Sequence, residues 1–473
     1  MDDQRTGEYD HFQLEAWVIM LELKPGEIIT TTQGRKLEIL HEIGRGGQGI
    51  VYKVRSGNRD RALKWYLDEA FFSEENRDAF KENLIANILD GVPSGGEKNF
   101  IWPIDLVESD KHGTFGYLME LIPDGYSQFS SYQKNLIFSS RKARIRSMIG
   151  ICRAFDILHH AGYKYQDINN GNIFIRAGDG AVLICDNDNV SKGDRANGVI
   201  GKDWYMAPEV VTGKKLPDQT TDRFSLAVIL FYLCCKGHPL IGRKLLTLDE
   251  PMGPRETVRF LGEEPVFLFD EQDDSNRPVA GINDYMEILW RSMPPFVRSL
   301  FQKAFSRGSM YFDPETGYGA SRVTELEWMG CLYRWFNSLL MCSCDRHPEW
   351  VFNQLPAVCP VCGKKLPING LICVKDYQHP LHPGVVLTAQ ELQTESESSG
   401  KLTILPGNIA GRPESVAIGN QTEGTCEIIK CNGEKKYLQA GKKISADQVR
   451  EVHSCIGNFK MSFRKNDDRS CRQ

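Results

Sequence analysis

The stretch at residues 163–174, followed by Asp186, constrains this chain more than any other part of its sequence. It places a carboxylate at Asp167, an amide five positions later at Asn172, and a second carboxylate at Asp186. Phosphoryl transfer needs such a set, because one carboxylate must face the acceptor hydroxyl while Asn and Asp oxygens hold magnesium. The D-x-x-x-x-N spacing is common by itself, so this interpretation depends on the signals that surround it.

A glycine-rich stretch upstream is the first of these signals. Glycines at G-x-G-x-x-G spacing let a hairpin backbone lie against phosphates, where a Cβ atom would clash. The glycines are Gly44, Gly46, Gly47 and Gly49. In the next strand, apolar neighbours would bury the stem of Lys64 and present its ammonium beside the glycine loop. Such a hairpin or lysine alone is most often a turn or a solvated edge, but their order favours a phosphate-binding site.

In this order the motifs resemble the protein kinase family, and the resemblance covers roughly residues 36–340. It implies an α+β fold of two lobes, with a small lobe at residues 36–122 and a large lobe at 123–341, after an N-terminal extension at 1–35. It also implies that ATP and Mg²⁺ (or Mn²⁺) are the cofactors. Asp167 would then face the acceptor hydroxyl as the catalytic residue, with Asn172 and Asp186 as metal ligands.

The resemblance assigns further residues to the nucleotide site. Residues 73–89 predict a helix with an apolar stripe and with Ser73 as its N-cap. Glu82 lies where the C-helix glutamate of the family pairs with the lysine, here Lys64, and Glu75 is the alternative. The residues implied to surround the adenine are Val51, Ala62, the gatekeeper Met119, Glu120 and Ile122.

The predicted large lobe carries scaffold motifs of the same family. Residues 201–209 resemble the end of a kinase activation segment, and Asp222 opens an apolar run similar to the buried F helix. The resemblance implies that Asp222 accepts hydrogen bonds from catalytic-loop amides and that Arg322 neutralises Glu209. Sugar and lipid kinases lack this pair of motifs, so the sequence favours a protein-kinase fold.

Three residues near the catalytic loop depart from the family pattern. Gln166 replaces the arginine that normally receives an activation-loop phosphate, so we do not expect activation by loop phosphorylation. Asn169 replaces the usual catalytic-loop lysine. Lys202 stands where Ser/Thr kinases carry a threonine facing the catalytic aspartate, and we expect its ammonium to act as the missing catalytic cation. A lysine pointing to solvent is the alternative.

The usual D-F-G triplet reads Asp186-Asn187-Asp188. Asn187 removes an apolar plug, and Asp188 replaces a glycine with a third carboxylate near the metals. Asp188 is either an additional magnesium ligand or a residue tolerated in a left-handed turn, which Asp adopts better than most residues. Because the lysine, the catalytic carboxylate and both metal positions remain, we expect an ATP-dependent protein kinase acting on Ser/Thr hydroxyls. The alternative is a nucleotide-binding pseudokinase that serves as a scaffold or regulatory module.

Length and composition limit the number of domains, the binding partners and the location that we expect for the chain. Its 473 residues suggest roughly two or three domains, and its net charge of −5 gives no sign of nucleic-acid binding. We find no secretory signal and no apolar run near about 20 residues, so no membrane span is expected. The 14 cysteines are too few and too scattered for a disulfide scaffold, which favours a cytoplasmic location.

Four cysteines after the predicted large lobe form a separate pattern, with C-x-C followed by C-P-x-C-G. Two thiolate pairs at this spacing are typical of a zinc ribbon or knuckle, in which one tetrahedral ion takes four ligands. The cysteines are Cys342, Cys344, Cys359 and Cys362. His347 is the alternative to Cys342 as the fourth ligand. We predict a structural zinc element at residues 342–370, without a catalytic role, because four protein ligands close the coordination sphere.

Residues 371–473 predict a small β-rich domain. Short β-prone runs alternate with turn signals, and Asn432-Gly433 is a hairpin signature. The predicted strands lie at 371–374, 402–405, 415–418, 426–429 and 436–438. We expect a small antiparallel sandwich that serves as a docking module. It weakly resembles a degenerate forkhead-associated domain, with Gly411-Arg412 at a suggestive position, but the phosphothreonine-reading motif of that family is not evident.

The order of kinase, zinc element and small β domain resembles bacterial kinases of the tellurite-resistance-associated type. An insertion after residues 237–240, which contains the runs 265–270 and 276–278, is also similar to that group. The resemblance implies a bacterial protein with a protein substrate. It also implies a metal-dependent Ser/Thr phosphatase and a von Willebrand A-type protein as partners, which composition alone does not indicate.

Overall fold

The structure is a computed structural model. It describes residues 22–67, 73–133, 137–195, 198–248, 252–366, 368, 370–394, 396, 398, 400–407 and 415–463. Residues 1–21 of the expected N-terminal extension and the Gly411-Arg412 pair lie outside the described residues.

The first part of the fold is an antiparallel sheet of six strands in the order β1-β2-β3-β4-β6-β5. The strands are β1 (Ile28–Thr30), β2 (Lys36–Gly46), β3 (Gly49–Ser56), β4 (Arg59–Tyr66), β5 (Asp105–Ser109) and β6 (Thr114–Met119). Both faces of the sheet bury apolar side chains, in two separate clusters. At Gly49 a Cβ atom would lie 2.2 Å from the carbonyl oxygen of Trp65. The close approach of β3 to β4 therefore requires glycine at the base of the glycine-rich hairpin.

Helix α1 (Glu74–Asp90) confirms the predicted helix and its N-cap. The Ser73 hydroxyl accepts a hydrogen bond from the backbone amide of Asn76 at 3.2 Å, which satisfies one of the free amides of the first turn. Phe80 and Leu84 of the predicted apolar stripe are buried against the sheet.

Two asparagines of α1 form hydrogen bonds with the segment around Val190. Asn83 and Asn87 are buried, and their side-chain amides both donate to the carbonyl oxygen of Val190, at 2.7 and 2.8 Å. The inward face of α1 is thus held by neutral amide hydrogen bonds to the segment that follows Asp188.

The second part of the fold is mainly helical. Its helices are α2 (Arg141–His160), α3 (Pro208–Val211), α4 (Gln219–Cys235), α5 (Arg243–Leu246), α6 (Pro254–Thr257), α7 (Asp284–Ser292), α8 (Pro295–Ala304), α9 (Arg307–Met310) and α10 (Glu325–Ser338). Its short strands are β7 (Ser127–Gln128), β8 (Tyr163–Lys164), β9 (Ile173–Arg176), β10 (Ala181–Ile184), β11 (Ser191–Lys192), β12 (Phe312–Asp313) and β13 (Gly317–Tyr318). One large apolar cluster joins α2, α4, α8 and α10.

Helix α4 lies at the centre of that cluster. A capping box of Asp218 and Thr221 begins the helix, and most of its side chains are buried. Within the described part of the chain, no helix combines the length and apolarity needed to span a membrane.

The predicted insertion packs into the same core. Val266, Phe267 and Leu268 are buried, and the Asn276 side-chain amide donates to the carbonyl oxygens of Leu240 and Val266 at 2.9 and 2.7 Å. These contacts make the insertion an integral part of the helical region.

The C-terminal region follows directly on α10. Strands β14 (Leu339–Met341) and β15 (Glu349–Val351) pair first. Two further antiparallel sheets follow, in the orders β17-β16-β25-β24-β21-β22 and β18-β19-β20-β23. Their elements are β16 (Gly370–Val374), β17 (Tyr377–Pro380), β18 (Val386–Thr388), α11 (Ala389–Leu392), β19 (Lys401–Pro406), β20 (Val416–Gln421), β21 (Cys426–Lys430), β22 (Lys435–Leu438), β23 (Lys443–Ser445), β24 (Val449–Ser454) and β25 (Gly457–Phe463).

The strands predicted from the sequence are present in this region. They correspond to β16, β19, β20, β21 and β22, and β21 and β22 form the hairpin predicted at Asn432-Gly433. Side chains from both sheets share one buried cluster. The sandwich and its forkhead-associated character stay predictions.

The C-terminal sheets contact the helical region through α10. The Asn337 side chain donates to the carbonyl oxygen of Val386 at 2.7 Å and accepts from the amide of Val386 at 2.9 Å. The Arg334 guanidinium lies 4.1 Å from the ring centroid of Phe296 and 4.2 Å from that of Tyr377. These contacts join the two regions through specific polar and cation–π interactions.

Candidate active site

Asp167 and Asn172 lie together, as their spacing predicts. The Asn172 side-chain amide donates to the Asp167 carboxylate Oδ2 at 3.1 Å and to the Asp167 carbonyl oxygen at 3.0 Å. Because the amide nitrogen of Asn172 is used in this way, its Oδ1 remains as the atom able to ligate a cation. The Asp167 Oδ1 atom is buried and has no hydrogen-bond partner among the described residues.

Asp222 fixes the backbone of this loop. Its carboxylate accepts from the amides of Tyr165 and Gln166 at 2.7 and 2.9 Å, which confirms its predicted role. Gln166 has a φ of 72°, in the left-handed region that non-glycine residues seldom occupy. The two hydrogen bonds that Asp222 accepts hold the loop in this conformation, one residue before Asp167.

Tyr165 links the loop to the second carboxylate. It is wholly buried, and its hydroxyl donates to the carbonyl oxygen of Cys185, the residue before Asp186. Asp186 has a φ of 52°. Burial and the neighbouring Asp188 carboxylate raise the pKa of Asp186, while the Lys64 ammonium opposes the rise.

Lys64 lies in a buried polar cluster. Its Nζ atom donates to Asp188 Oδ2 at 2.8 Å and to Gln48 Oε1 of the glycine-rich hairpin at 3.2 Å, and it lies 3.6 Å from Asp186 Oδ1. Burial alone would lower the pKa of Lys64, but the charges of Asp186 and Asp188 raise it above its ordinary value. The lysine therefore stays charged beside the glycine loop.

Two tyrosines complete this cluster, and they were not predicted from the sequence. The hydroxyl of Tyr117 donates to Asp188 Oδ1 at 3.0 Å, and the hydroxyl of Tyr66 donates to Asp188 Oδ2. Asp188 is fully buried. The only sequence signal was the alternation along β4, which places Tyr66 on the same side of the strand as Lys64.

The predicted pairing of Lys64 with Glu82 is wrong for this structure. Glu82 and its alternative Glu75 are both exposed on α1, and the inward position beside Glu82 belongs to Asn83. The physical reason is helical periodicity, because one residue along an α-helix turns the side chain by about 100°. The carboxylates beside Lys64 come from the Asp186-Asn187-Asp188 triplet instead.

The structure contradicts one of the two sequence interpretations of Asp188, namely the left-handed turn. The two oxygens of Asp188 accept hydrogen bonds from Lys64, Tyr66 and Tyr117, and a role as an additional magnesium ligand stays a prediction. The left-handed residue of the triplet is Asp186, and Asp188 is absent from the positive-φ residues. Asn187 is also buried, and its side-chain amide donates to the carbonyl oxygens of Ile101 and Ile184.

Lys202 lies beside the catalytic loop, as predicted. Its Nζ atom donates to Asn169 Oδ1 at 3.2 Å. The Asn169 side chain also accepts from the amide of Gly171 at 2.7 Å and donates to the carbonyl oxygen of Asp167 at 3.0 Å. The ammonium of Lys202 is therefore hydrogen-bonded to Asn169, the residue that replaces the usual lysine.

Gln166 anchors the segment after Asp186. Its side-chain amide donates to the carbonyl oxygen of Val199 at 3.1 Å, and its Oε1 accepts from the buried hydroxyl of Ser191 at 2.8 Å. Further along, Arg322 donates two hydrogen bonds of 2.8 Å to the carboxylate of Glu209, which confirms the predicted buried ion pair. Gln166 therefore holds this segment through neutral hydrogen bonds, whereas Glu209 near its end is held by an ion pair.

The residues predicted around the adenine form an apolar surface. Ala62 and Met119 are buried and pair across β4 and β6, and Val51 and Ile122 pack against the same cluster. Glu120 is exposed and lies 3.1 Å from Arg61. Gly44 and Gly46 end β2, Gly49 begins β3, and Gly47 lies in the turn between these two strands.

The four cysteines form a cluster suited to a metal ion. The Sγ atoms of Cys342, Cys344, Cys359 and Cys362 all lie within 4.8 Å of one another. The amides of Val361 and Cys362 point to Cys359 Sγ at 3.4 and 3.5 Å, as in a turn that supports a thiolate ligand. Of the two alternatives for the fourth ligand, the geometry brings in Cys342, and His347 is not in the cluster.

Comparisons with known proteins find similarity to protein kinases. Residues 37–255 match the family described as Protein kinase domain. The serine/threonine-protein kinase AtPK2/AtPK19 of Arabidopsis thaliana is 25% identical over 228 residues, which is 47% of this chain and 46% of that protein. The probable serine/threonine-protein kinase CPE1738 of Clostridium perfringens is 25% identical over 222 residues, which is 46% of this chain and 31% of that protein.

A crystal structure of the PknI kinase domain of Mycobacterium tuberculosis, a double mutant, is also similar, with a TM-score of 0.36 and 18% identity. It covers 46% of this chain and 80% of that chain. The chain spans less than half the length of the two curated relatives.

Proposed function

Residues 37–255 belong to the protein kinase family, and from this premise we propose that the chain transfers the γ-phosphate of ATP to Ser or Thr hydroxyls of a protein substrate. The family match and the named Ser/Thr kinases support the class of reaction. The arrangement around Asp167 supports an active enzyme.

The observation that carries the proposal is the free oxygen of Asp167. Asn172 holds Oδ2, whereas Oδ1 is buried and has no partner among the residues that the structure describes. A buried acceptor without a donor is costly, so the site favours a ligand that brings one. A substrate hydroxyl would supply that donor and would be oriented by the carboxylate for attack.

Asn172 and Asp186 fit a magnesium ion. Oxygen ligands suit this hard cation, and the Asn172 amide is oriented by its hydrogen bonds to Asp167 so that Oδ1 is available. When bound, Mg²⁺ would neutralise phosphate charge during transfer. Asp186 would supply a second oxygen ligand, in the backbone conformation that Tyr165 supports through Cys185.

Lys64 and the glycine hairpin would bind the phosphates of ATP. The lysine is charged, and it contacts the hairpin through Gln48. Lys202 would place a second cation on the acceptor side, through its hydrogen bond to Asn169. The adenine would lie against the apolar surface that includes Ala62 and Met119.

The cysteine cluster fits a structural zinc ion. Four thiolates at this separation satisfy tetrahedral coordination, and the supporting amides stabilise their negative charge. The zinc element would stabilise the short pair β14–β15, which continues the chain from α10 into the C-terminal sheets.

A direct test is phosphate incorporation from γ-labelled ATP by the purified chain, alone and with dephosphorylated casein. We expect Mg²⁺-dependent incorporation on Ser or Thr that Asp186→Ala abolishes. The matched control is Asp179→Ala, because Asp179 is an exposed carboxylate that pairs with Arg176. Absence of incorporation by folded, nucleotide-binding protein would contradict the proposal and support the pseudokinase alternative.

A further inference from the structure

Asp188 has surroundings that suit a permanent partner of Lys64. Its side chain is 0% exposed, against 6% for the side chain of Lys64, and the two meet at 2.8 Å. Tyr66 and Tyr117 donate their hydroxyl hydrogens to the same carboxylate. A buried ion pair is stable only when further hydrogen bonds satisfy its remaining lone pairs, and the two hydroxyls do so here.

The sheet itself positions this carboxylate cage, defined as Lys64, Tyr66, Tyr117 and Asp188. Lys64 and Tyr66 are two residues apart on β4 and therefore face the same side. Tyr117 is the cross-strand neighbour of Lys64 in the β4–β6 register. Three of the four members thus come from adjacent strands and do not depend on the position of a helix.

Helix α1 provides no carboxylate to the cage. Glu75 and Glu82 are exposed, and the inward residues Asn83 and Asn87 are committed to the carbonyl oxygen of Val190. The helix is attached to the segment after Asp188 and not to Lys64.

We propose that Asp188 is the positioning residue of Lys64, in place of a carboxylate on α1. The phosphate-binding lysine is then oriented by the sheet and by the Asp186-Asn187-Asp188 triplet. The catalytic consequence rests on the proposed kinase function, whereas the pairing does not.

The pairing is tested by a thermal-stability double-mutant cycle. Lys64→Met and Asp188→Asn are measured alone and together, since residues in contact deviate from additivity. We expect the melting temperature of the double variant to lie at least about 3 °C above the value obtained by adding the two single changes. The reason is that each single variant leaves one member of the buried pair without its partner. The matched cycle of Lys64→Met with Glu82→Gln should be additive. Additivity of Lys64→Met with Asp188→Asn would overturn the proposal, whatever the cycle with Glu82→Gln shows.

The positioning role is tested by kinetics in the same variants. Asp188→Asn should lower kcat more than about tenfold, with no further loss when it is added to Lys64→Met, because it acts through the lysine. A merely structural role would lower the rate in both backgrounds, and that result would overturn the proposal. Glu82→Gln should change kcat less than about twofold.

Two outcomes separate this proposal from the proposed function. If the wild-type chain transfers no phosphate, the kinase function fails while the stability cycle still decides the pairing. If Asp188→Asn is too unstable to assay, the kcat of Glu82→Gln decides whether the partner of Lys64 lies on α1. A loss of more than about tenfold in kcat would then overturn the proposal, and a rate near wild type would support it.

Discussion

The ammonium of Lys202 donates a hydrogen bond to the side-chain oxygen of Asn169 at 3.2 Å. On the proposed function, this contact would bring a cation to Asn169, the residue that replaces the catalytic-loop lysine implied by the family resemblance. Burial raises the pKa of Asp167, and the positive charge of Lys202 is among the interactions that oppose this rise. We therefore propose that Lys202 compensates for Asn169.

Lys202→Ala should lower kcat by more than about tenfold with little change in ATP affinity, because a cation on the transferring phosphate acts mainly in the transition state. Steady-state kinetics with varied ATP checks this, and Lys214→Ala, at an exposed lysine, is the control. Adding Asn169→Lys to Lys202→Ala should recover part of the rate. A neutral Lys202→Ala would show that the lysine is a surface residue and that metal charge suffices.

The surroundings of His159 predict that the stability of the fold depends on pH. It is buried between Asp222 and Glu325, with both contacts at 3.0 Å, and Glu325 also pairs with Arg223. Burial opposes the charged imidazole, but the two carboxylates raise the pKa of His159 from 6.5 to about 9. Burial likewise opposes the charged form of Glu325, yet His159 and Arg223 lower its pKa from 4.5 to about 2.

The direction of the effect follows from these shifts. The raised pKa of His159 contributes stability that is complete below pH 6.5 and is lost as the pH rises through about 9. The lowered pKa of Glu325 contributes stability that is complete above pH 4.5 and is lost as the pH falls towards 2. The melting temperature should therefore fall between pH 6.5 and pH 9.

Thermal melts of wild type and His159→Gln across this range check the prediction. The difference in melting temperature between the two proteins should shrink as the pH rises, because the wild type loses its imidazolium contacts. His160→Gln is the control, since His160 is the exposed neighbour. A constant difference from pH 6.5 to pH 9 would show that His159 is neutral in the folded state.

Zinc removal should destabilise the region after α10. We expect about one zinc ion per chain by elemental analysis of protein purified without chelators, because four thiolates form a closed site. Cys359→Ser together with Cys362→Ser should abolish the zinc content and lower the melting temperature, since metal binding contributes directly to folding. Cys455→Ser, at an exposed cysteine outside the cluster, should change neither quantity. Protein without zinc but with unchanged stability would contradict the assignment.

Asn337 should couple the C-terminal sheets to the helical region. Asn337→Ala leaves the amide and the carbonyl of Val386 without their partner and should cost about 1–3 kcal/mol of unfolding free energy. Limited proteolysis should then cleave the chain between the two regions faster than in wild type. Equal proteolysis rates would show that other contacts, such as those of Arg334, suffice.

The catalytic loop was predictable because its signals are local. The spacing of Asp167 and Asn172 fixes their contact within one short loop, and the scaffold roles of Asp222 and Arg322 follow from motif order. The cysteine cluster was predictable for the same reason, since a knuckle turn and a nearby pair need few long-range contacts.

The partner of Lys64 was not predictable in this way. Choosing Glu82 required the rotation of α1 to within one residue, and sequence spacing does not give it. Asp188 meets Lys64 across a separation of 124 residues, and its burial depends on two tyrosines from other strand positions. The docking of Asn337 on Val386 is long-range as well, so the strands after residue 370 were predicted and their attachment to α10 was not.

The most direct test of the account is the rate of phosphate transfer by Asp167→Asn in single-turnover assays. The variant keeps the shape of the side chain and its bond to Asn172, but it removes the charge that faces the acceptor hydroxyl. We predict a loss of at least about 1,000-fold relative to wild type, with melting temperature and nucleotide affinity unchanged. A rate within about tenfold of wild type would contradict the role of Asp167 and with it the proposed active site.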